Sequence, residues 1–426
     1  MRTERPPGPR SSWLLGNTLE YDRDRVGFLR QAHAEHGDVF SYDRRTIFLG
    51  DPDLIHDLLA RTNTDFDGDG SPFSDERDLA GAETSADRWM GARRVGWHRL
   101  SRSAVGGHVD RLRDLFSARF AGSDELELLP AMEQLLGGAT ADFCLGHSAA
   151  GVPELVAANT AALVPVGGTS YRLPSWLPTR RTRTFVDLRT ELMDRLGEVV
   201  RTRHDELTTA ASAEHQPRDL LDQLLGAAPE VSHEGAQRFV RGVLMAGYGV
   251  PAAAMTWIVA ALIEQTELTA RLRDEVDALD RDRPETADLA LTTAFVRETL
   301  RRHPPTWLIG RHARHDTTLG SWQLKAGTEV VFSPYLLHRD ERYWSDPQDF
   351  VIDRWLAGAP APVRHTYIPF GAGPRVCVGA QLGMLQLTLI TCWLLQRFDL
   401  TAVTPPREHF AGLLVPADFR VRLATR

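Results

Sequence analysis

Phe370-Gly371-Ala372-Gly373-Pro374-Arg375-Val376-Cys377-Val378-Gly379 is the stretch from which this chain is best read. Two glycines and a proline ahead of Cys377 describe a tight, rigid loop. The run that follows, from Val378 to about Gln396, is apolar at Leu382, Leu385, Leu389, Trp393 and Leu394, and it reads as a helix that Cys377 opens. At a helix start the free N–H groups and the helix dipole favour a thiolate. Arg375, two residues earlier, adds a positive charge suited to a carboxylate. A preformed loop that presents a thiolate beside a cation is suited to give a haem iron its axial ligand, and thiolate donation favours O–O cleavage. The bland reading is a buried cysteine behind a Gly-rich turn. Core packing fits Cys144 and Cys392, which lie amid apolar neighbours, better than it fits Cys377. The three positions lack zinc-ligand spacing.

Around this loop the chain has 426 residues, 42% hydrophobic and 25% charged, the balance of an ordinary globular protein. That length suits one large domain or two to three small ones. With 49 Lys+Arg against 57 Asp+Glu the net charge is −8, which argues against a dedicated nucleic-acid binder. No window comes near the roughly 18 apolar residues of a membrane span. The start MRTERPPGPR lacks the apolar core of a signal peptide. Three cysteines are too few for a disulfide framework, so the expectation is a cytoplasmic protein without a membrane anchor. Lys325 is the single lysine among the 49 basic residues, a bias expected of a GC-rich bacterial genome.

No repeat or low-complexity linker interrupts the chain. RPPGPR at 5–10 reads as an extended arm, and VFSY at 39–42 and TIFLG at 46–50 as strands. Helical periodicity dominates from about 108 to 300, as in residues 108–120, 188–207 and 238–265. After Pro304 the pattern turns β-like, with TEVVFSP at 328–334 and LLVPADFRVRL at 413–423. The expected architecture is mainly α, one domain over residues 1–426. Its helical body covers about 85–300 and 378–396, and its β-rich parts about 37–60, 305–335 and 400–426.

The loop 370–379 resembles the cytochrome P-450 pattern F-x-x-G-x-R-x-C-x-G at every fixed position, through Phe370, Gly373, Arg375, Cys377 and Gly379, with Gly371 inside it. Glu298-Thr299-Leu300-Arg301 is similar to that family's E-x-x-R helix motif; i and i+3 share a helix face, so the two can pair. Asp346 to Trp355 resembles the segment whose arginine, here Arg354, completes a Glu–Arg–Arg triad, although Ile352 stands where the family usually has proline. His338-Arg339-Asp340 also matches. The resemblance implies the P-450 fold, a helix-rich body enclosing a haem with a smaller β-rich lobe. It implies haem b with Cys377 as axial ligand. Arg375, Arg311 and the His98/Arg102 pair would meet the propionates; an alternative alignment uses Trp89 and Arg93, but a solvated face is the preferred reading of Arg93 and Arg94.

The chain departs from the family where the helix over the haem normally carries (A/G)-G-x-(D/E)-T. It reads Ala246-Gly247-Tyr248-Gly249-Val250-Pro251. Ala246 and Gly247 match and would leave space above the iron, but Gly249 and Val250 replace the acid and the alcohol, and neither side chain can relay a proton. Pro251 lacks an N–H and clashes with the carbonyl of residue 247. A kink is therefore expected, at about 3 kcal/mol in a regular helix, with the freed Gly247 carbonyl open to a water or a substrate donor. Drift in a chain whose substrate supplies the protons is the competing explanation.

Several reactions stay open: a substrate-assisted monooxygenase fed by ferredoxin and ferredoxin reductase, a peroxide user, an isomerase or dehydratase, or an N–O-cleaving enzyme that transfers nitrogen. A non-catalytic haem sensor is the reading from another class. The resemblance places substrate contacts in 66–94, in 164–183 and at Pro305–Ile309. Met245, Val250, Thr306, Trp307, Leu308 and Ile309 would form an apolar chamber for a lipophilic small molecule, as expected of a monomeric enzyme of bacterial secondary metabolism. Core packing is an equal alternative for each of the apolar residues, and it is the better reading of Leu308 or Met245 taken singly. Arg180, Arg181 and Arg183 read as a solvated cluster.

Overall fold

The computed structural model describes residues 5–10, 16–68, 90–97, 100, 106–122, 124–167, 179–209, 217–280, 284 and 286–426. The fold is organised around one long helix, His233–Glu264. Ser232 caps it by accepting a hydrogen bond from Gly235 N, and its second half, Ala252–Leu262, is buried throughout. By length and composition alone this helix could cross a membrane, against the expectation that no such window exists. Its most apolar window is 72% buried inside the protein, as a core helix is.

Leu128–Leu145 packs against it closely. The approach depends on two glycines. A Cβ at Gly247 would lie 2.5 Å from Thr140 Cγ2, and one at Gly137 would lie 2.5 Å from Tyr248 Cδ2. Helices Val109–Phe120, Val152–Gly167, Arg180–Thr209, Leu220–Gly226, Thr266–Asp277, Ala290–Arg302 and Ala380–Arg397 build the rest of the body. Cys144 and Cys392 are buried in it, as core residues.

The β lobe is a five-stranded sheet in the order β1 (Val39–Ser41), β2 (Thr46–Leu49), β8 (Glu329–Phe332), β5 (Ile309–Ala313), β3 (Phe66–Asp67). β2 runs parallel to β8 and the other pairs are antiparallel. β6 (Thr317–Leu319) pairs with β7 (Trp322–Leu324) and β10 (Arg407–Phe410) with β11 (Leu414–Ala417), while β12 (Arg420–Thr425) lies between β4 (Glu125–Glu127) and β9 (Phe398–Ala402). Arm 5–10 is tied down: Ser41 N donates to Pro7 O at 2.7 Å and Ser41 Oγ to Pro6 O at 2.7 Å.

Three boundaries differ from expectation. Residues 37–60 are β only at first; Asp51 accepts from Asp53 N and Leu54 N, Pro52 occupies the first turn, and Pro52–Ala60 is a helix. β4 interrupts the helical body, because its partner β12 lies almost 300 residues away in sequence. The last helix begins at Ala380 with Gly379 as its cap, so Cys377 stands before it rather than opening it.

Candidate functional site

The loop that carries Cys377 is shaped by its backbone. Gly371 and Gly373 have φ of 69° and 71°, a region that favours glycine. At Gly373 a Cβ would also collide with the Leu59 carbonyl. Residues Gly373–Arg375 make a 3-10 turn, and Cys377 N donates to Phe370 O at 2.8 Å, closing the loop. Phe370 anchors it against the main core.

Cys377 is the exposed cysteine of the three. Burial is nevertheless the largest influence on its thiol and raises its pKa; the Gly379 N–H and Arg93 oppose that without reversing it. A group on the wall of an internal cleft has both properties. A metal ion bound at the sulfur would favour the thiolate against this burial. A Cβ at Gly371 or Gly383 would meet nothing within 4 Å, and one at Gly379 only the Cys377 Sγ at 3.9 Å, so open space borders the sulfur.

Three guanidiniums reach this region from separate elements. Arg375 Nε donates to Asn63 Oδ1 at 2.8 Å, and Arg311 Nε donates to the neighbouring Thr62 Oγ1 at 3.2 Å. Arg311 is buried on β5. The third is Arg93, which the sequence placed on a solvated face. It is buried, donates to the Val376 carbonyl and lies 5.2 Å from the Trp97 ring. Arg94 is exposed as expected. His98, Arg102 and Trp89 lie outside the described residues, as do residues 69–89 and 168–178 of the expected substrate regions. An open-sided thiol with three arginines around it fits an iron porphyrin bearing carboxylates.

Ala246 is exposed and Val250 half-buried on one face of the long helix, while Tyr248 and Gly249 between them are buried. Gly249 faces Leu413, whose Cδ1 would lie 3.4 Å from an added Cβ. One expectation changes here. The helix continues through Pro251 to Glu264, and the freed Gly247 carbonyl, expected to be open to a water or a substrate donor, already accepts from Thr140 Oγ1 at 3.3 Å. The space beside Gly247 is likewise filled by Thr140, so Ala246 and not Gly247 opens the distal wall.

Trp307 is core rather than pocket. It is 2% exposed, donates Nε1–H to Ala411 O at 2.9 Å and meets the Phe410 ring edge-on at 5.1 Å. Thr306, Leu308, Ile309 and Met245 are half-buried beside the core clusters.

Glu298 and Arg301 form a fully buried pair at 2.8 and 2.9 Å. Arg354 Nε lies 3.6 Å from Glu298 Oε1, and Trp355 Nε1 and Val351 N donate to the same carboxylate at 2.9 Å. Arg301 spends its other donors on the carbonyls of His338, Pro347 and Asp349. This cluster ties the long irregular segment before the cysteine loop to the helical body.

A family model described as cytochrome P-450 matches residues 162–418. Cyclooctatin synthase of Streptomyces melanosporofaciens is 28% identical over 402 residues, 88% of this chain and 85% of that protein. Steroid 17-alpha-hydroxylase/17,20 lyase of Oryzias latipes is 32% identical over 246 residues, 50% of this chain; the match spans about half of that relative, 47% of its length. The heme domain of a cytochrome P450DA mutant superposes with a TM-score of 0.82 at 20% identity, covering 99% of this chain and 98% of that one, a likeness of fold.

Proposed function

The chain belongs to the cytochrome P-450 family, and from that premise we propose a haem-thiolate enzyme that acts on a lipophilic small molecule by chemistry other than ordinary monooxygenation. The family carries haem b on an axial cysteine thiolate. Cys377 would hold the iron, and Arg93, Arg311 and Arg375 the propionates. When bound, the haem supplies iron redox chemistry tuned by thiolate donation.

The observation that carries the reading is the composition of the distal wall. Gly249 and Val250 offer no side-chain donor, and the Gly247 carbonyl is already hydrogen-bonded to Thr140. Ala246 and Val250 can orient an apolar ligand and exclude water, but they hold no proton for it. A role in bacterial secondary metabolism is supported by likeness along most of the chain to the Streptomyces protein named cyclooctatin synthase. Half-buried Met245, Leu308 and Ile309 supply apolar surface of the kind a lipophilic ligand needs. A second reading, the substrate-assisted monooxygenase, is favoured by the exposure of Ala246, which leaves room for a substrate hydroxyl.

The two separate in a reductase assay with ferredoxin, ferredoxin reductase and NADPH under air. The expected result is that reducing equivalents emerge mainly as hydrogen peroxide, and that Gly249→Glu with Val250→Thr lowers that leak. Peroxide release unchanged by the double substitution would contradict the reading of the distal wall.

A further inference from the structure

A second cavity, of about 570 Å³, lies at the far end of the long helix. Neither Cys377, Ala246 nor Val250 lines it; its wall begins at Trp257, roughly two turns beyond Val250. Its size is that of a small-molecule site, about 300–1,000 Å³.

Glu408 stands in the polar wall with its charge answered there. Tyr335 Oη donates to its two oxygens at 3.0 Å, His303 Nε2 lies 3.4 Å away and Arg339 Nη2 3.7 Å away. Burial pushes the His303 imidazole down to about 4, so near neutral pH it is uncharged and donates Nε2–H to Glu408. Burial lowers Arg339 as well, to about 10, and it stays a cation.

Two further guanidiniums line the cavity, and among the described residues no carboxylate pairs with either. Arg302 has its Nε buried without a hydrogen-bond partner. Arg30 rests 6.0 Å from the Tyr335 ring centroid. Glu264, the other lining carboxylate, is exposed at the end of its helix. Arg302 is half-buried, and such a cation without a counter-charge is costly unless something supplies one; Arg30 is exposed. The lining also has an apolar part: Trp257, which stacks on His303 at 4.0 Å and 8°, together with Ile263 and Phe350.

We propose that this cavity binds a small organic anion, its oxyanion group met by Arg302 and Arg30 and its apolar body held against Ile263 and Phe350. Guanidinium forks suit phosphate and carboxylate oxygens. The site is separate from the haem cleft, and its ligand is separate from the lipophilic molecule assigned to that cleft.

The test titrates the haem-loaded protein with phenyl phosphate by calorimetry, with inorganic phosphate and phenol as half-probes, while the haem absorption spectrum is followed in parallel. The expected result is one saturable phenyl phosphate site, tighter than either half-probe and without change in the haem spectrum. Arg302→Gln should weaken it by about tenfold or more, the loss of a charge-assisted hydrogen bond, at an unchanged melting temperature. Should that variant lower the melting temperature, Arg30→Gln, at an exposed position, carries the same expectation. No saturable binding, equal affinity in the variants, or binding that shifts the haem spectrum would each overturn the proposal.

Discussion

Arg93 shows what a single residue can hide. On a helix rich in arginine its neighbour Arg94 faces solvent, while Arg93 turns inward to the Val376 carbonyl beside the cysteine. The contact spans 283 residues of sequence, so no local pattern announces it; the Trp89–Arg93 spacing was the one available hint. Arg93→Leu should release haem to an apo-globin acceptor roughly tenfold faster, in keeping with about 1.5–3 kcal/mol for a hydrogen bond to a charged group. An unchanged release rate would remove Arg93 from the haem site. At Gly247 the neighbouring helix leaves no room: Gly247→Ala places a methyl group against Thr140 and should cost about 1–3 kcal/mol in urea unfolding. A neutral outcome there would mean that the two helices are not held as close as described. Trp307 is ambiguous in sequence for a related reason. An apolar residue after a proline pair reads the same whether it faces a ligand or the core, and the Ala411 carbonyl that fixes its indole is remote in sequence.

Elements were legible where local chemistry sets them. The cysteine loop was readable because its glycines answer to backbone φ at 371 and 373, and its closure joins residues 370 and 377. The E-x-x-R pair was readable because helix geometry alone brings Glu298 to Arg301. Their complete burial was not, since it depends on Arg354, Trp355 and the carbonyls of the segment that follows. Glu298→Gln leaves Arg301 and Arg354 without their shared counter-charge. It should cost about 3–5 kcal/mol, as breaking a buried pair does, read as a fall in the urea midpoint. A fall below 1 kcal/mol, the scale of a surface pair, would show that the cluster is not the clamp inferred here. Pro251 teaches the converse lesson. The rule that proline frees a carbonyl is local and held, but the partner that satisfies it, Thr140, belongs to another helix.

For the molecule as a whole, stability should depend on acid through buried imidazoles. Burial pushes His338 down to about 3, and the ring is fixed as a neutral tautomer: Nε2 accepts from Ile368 N at 3.0 Å, leaving Nδ1–H for the Arg301 carbonyl at 3.1 Å. Unfolded, the same group binds its proton near pH 6.5. Between those values the unfolded chain binds more protons, so stability is full above about pH 6.5 and declines as pH falls toward 3. His303, pushed down to about 4, adds to the same slope. The melting temperature should therefore drop between pH 7 and pH 5, and less steeply in His338→Gln; parallel profiles for the two proteins would contradict this.

The sheet lobe and helical body place one accessible cysteine sulfur, that of Cys377, beside buried Arg93. Whether that sulfur is the iron ligand can be read from the absorption spectrum of the reduced, carbon monoxide-treated holoprotein. The expected result is a band at the position of thiolate-ligated haem in the native protein, lost in Cys377→Ser and retained in Cys144→Ser and Cys392→Ser. A thiolate band that survives Cys377→Ser, or one absent from the fully loaded native protein, would contradict the assignment of Cys377.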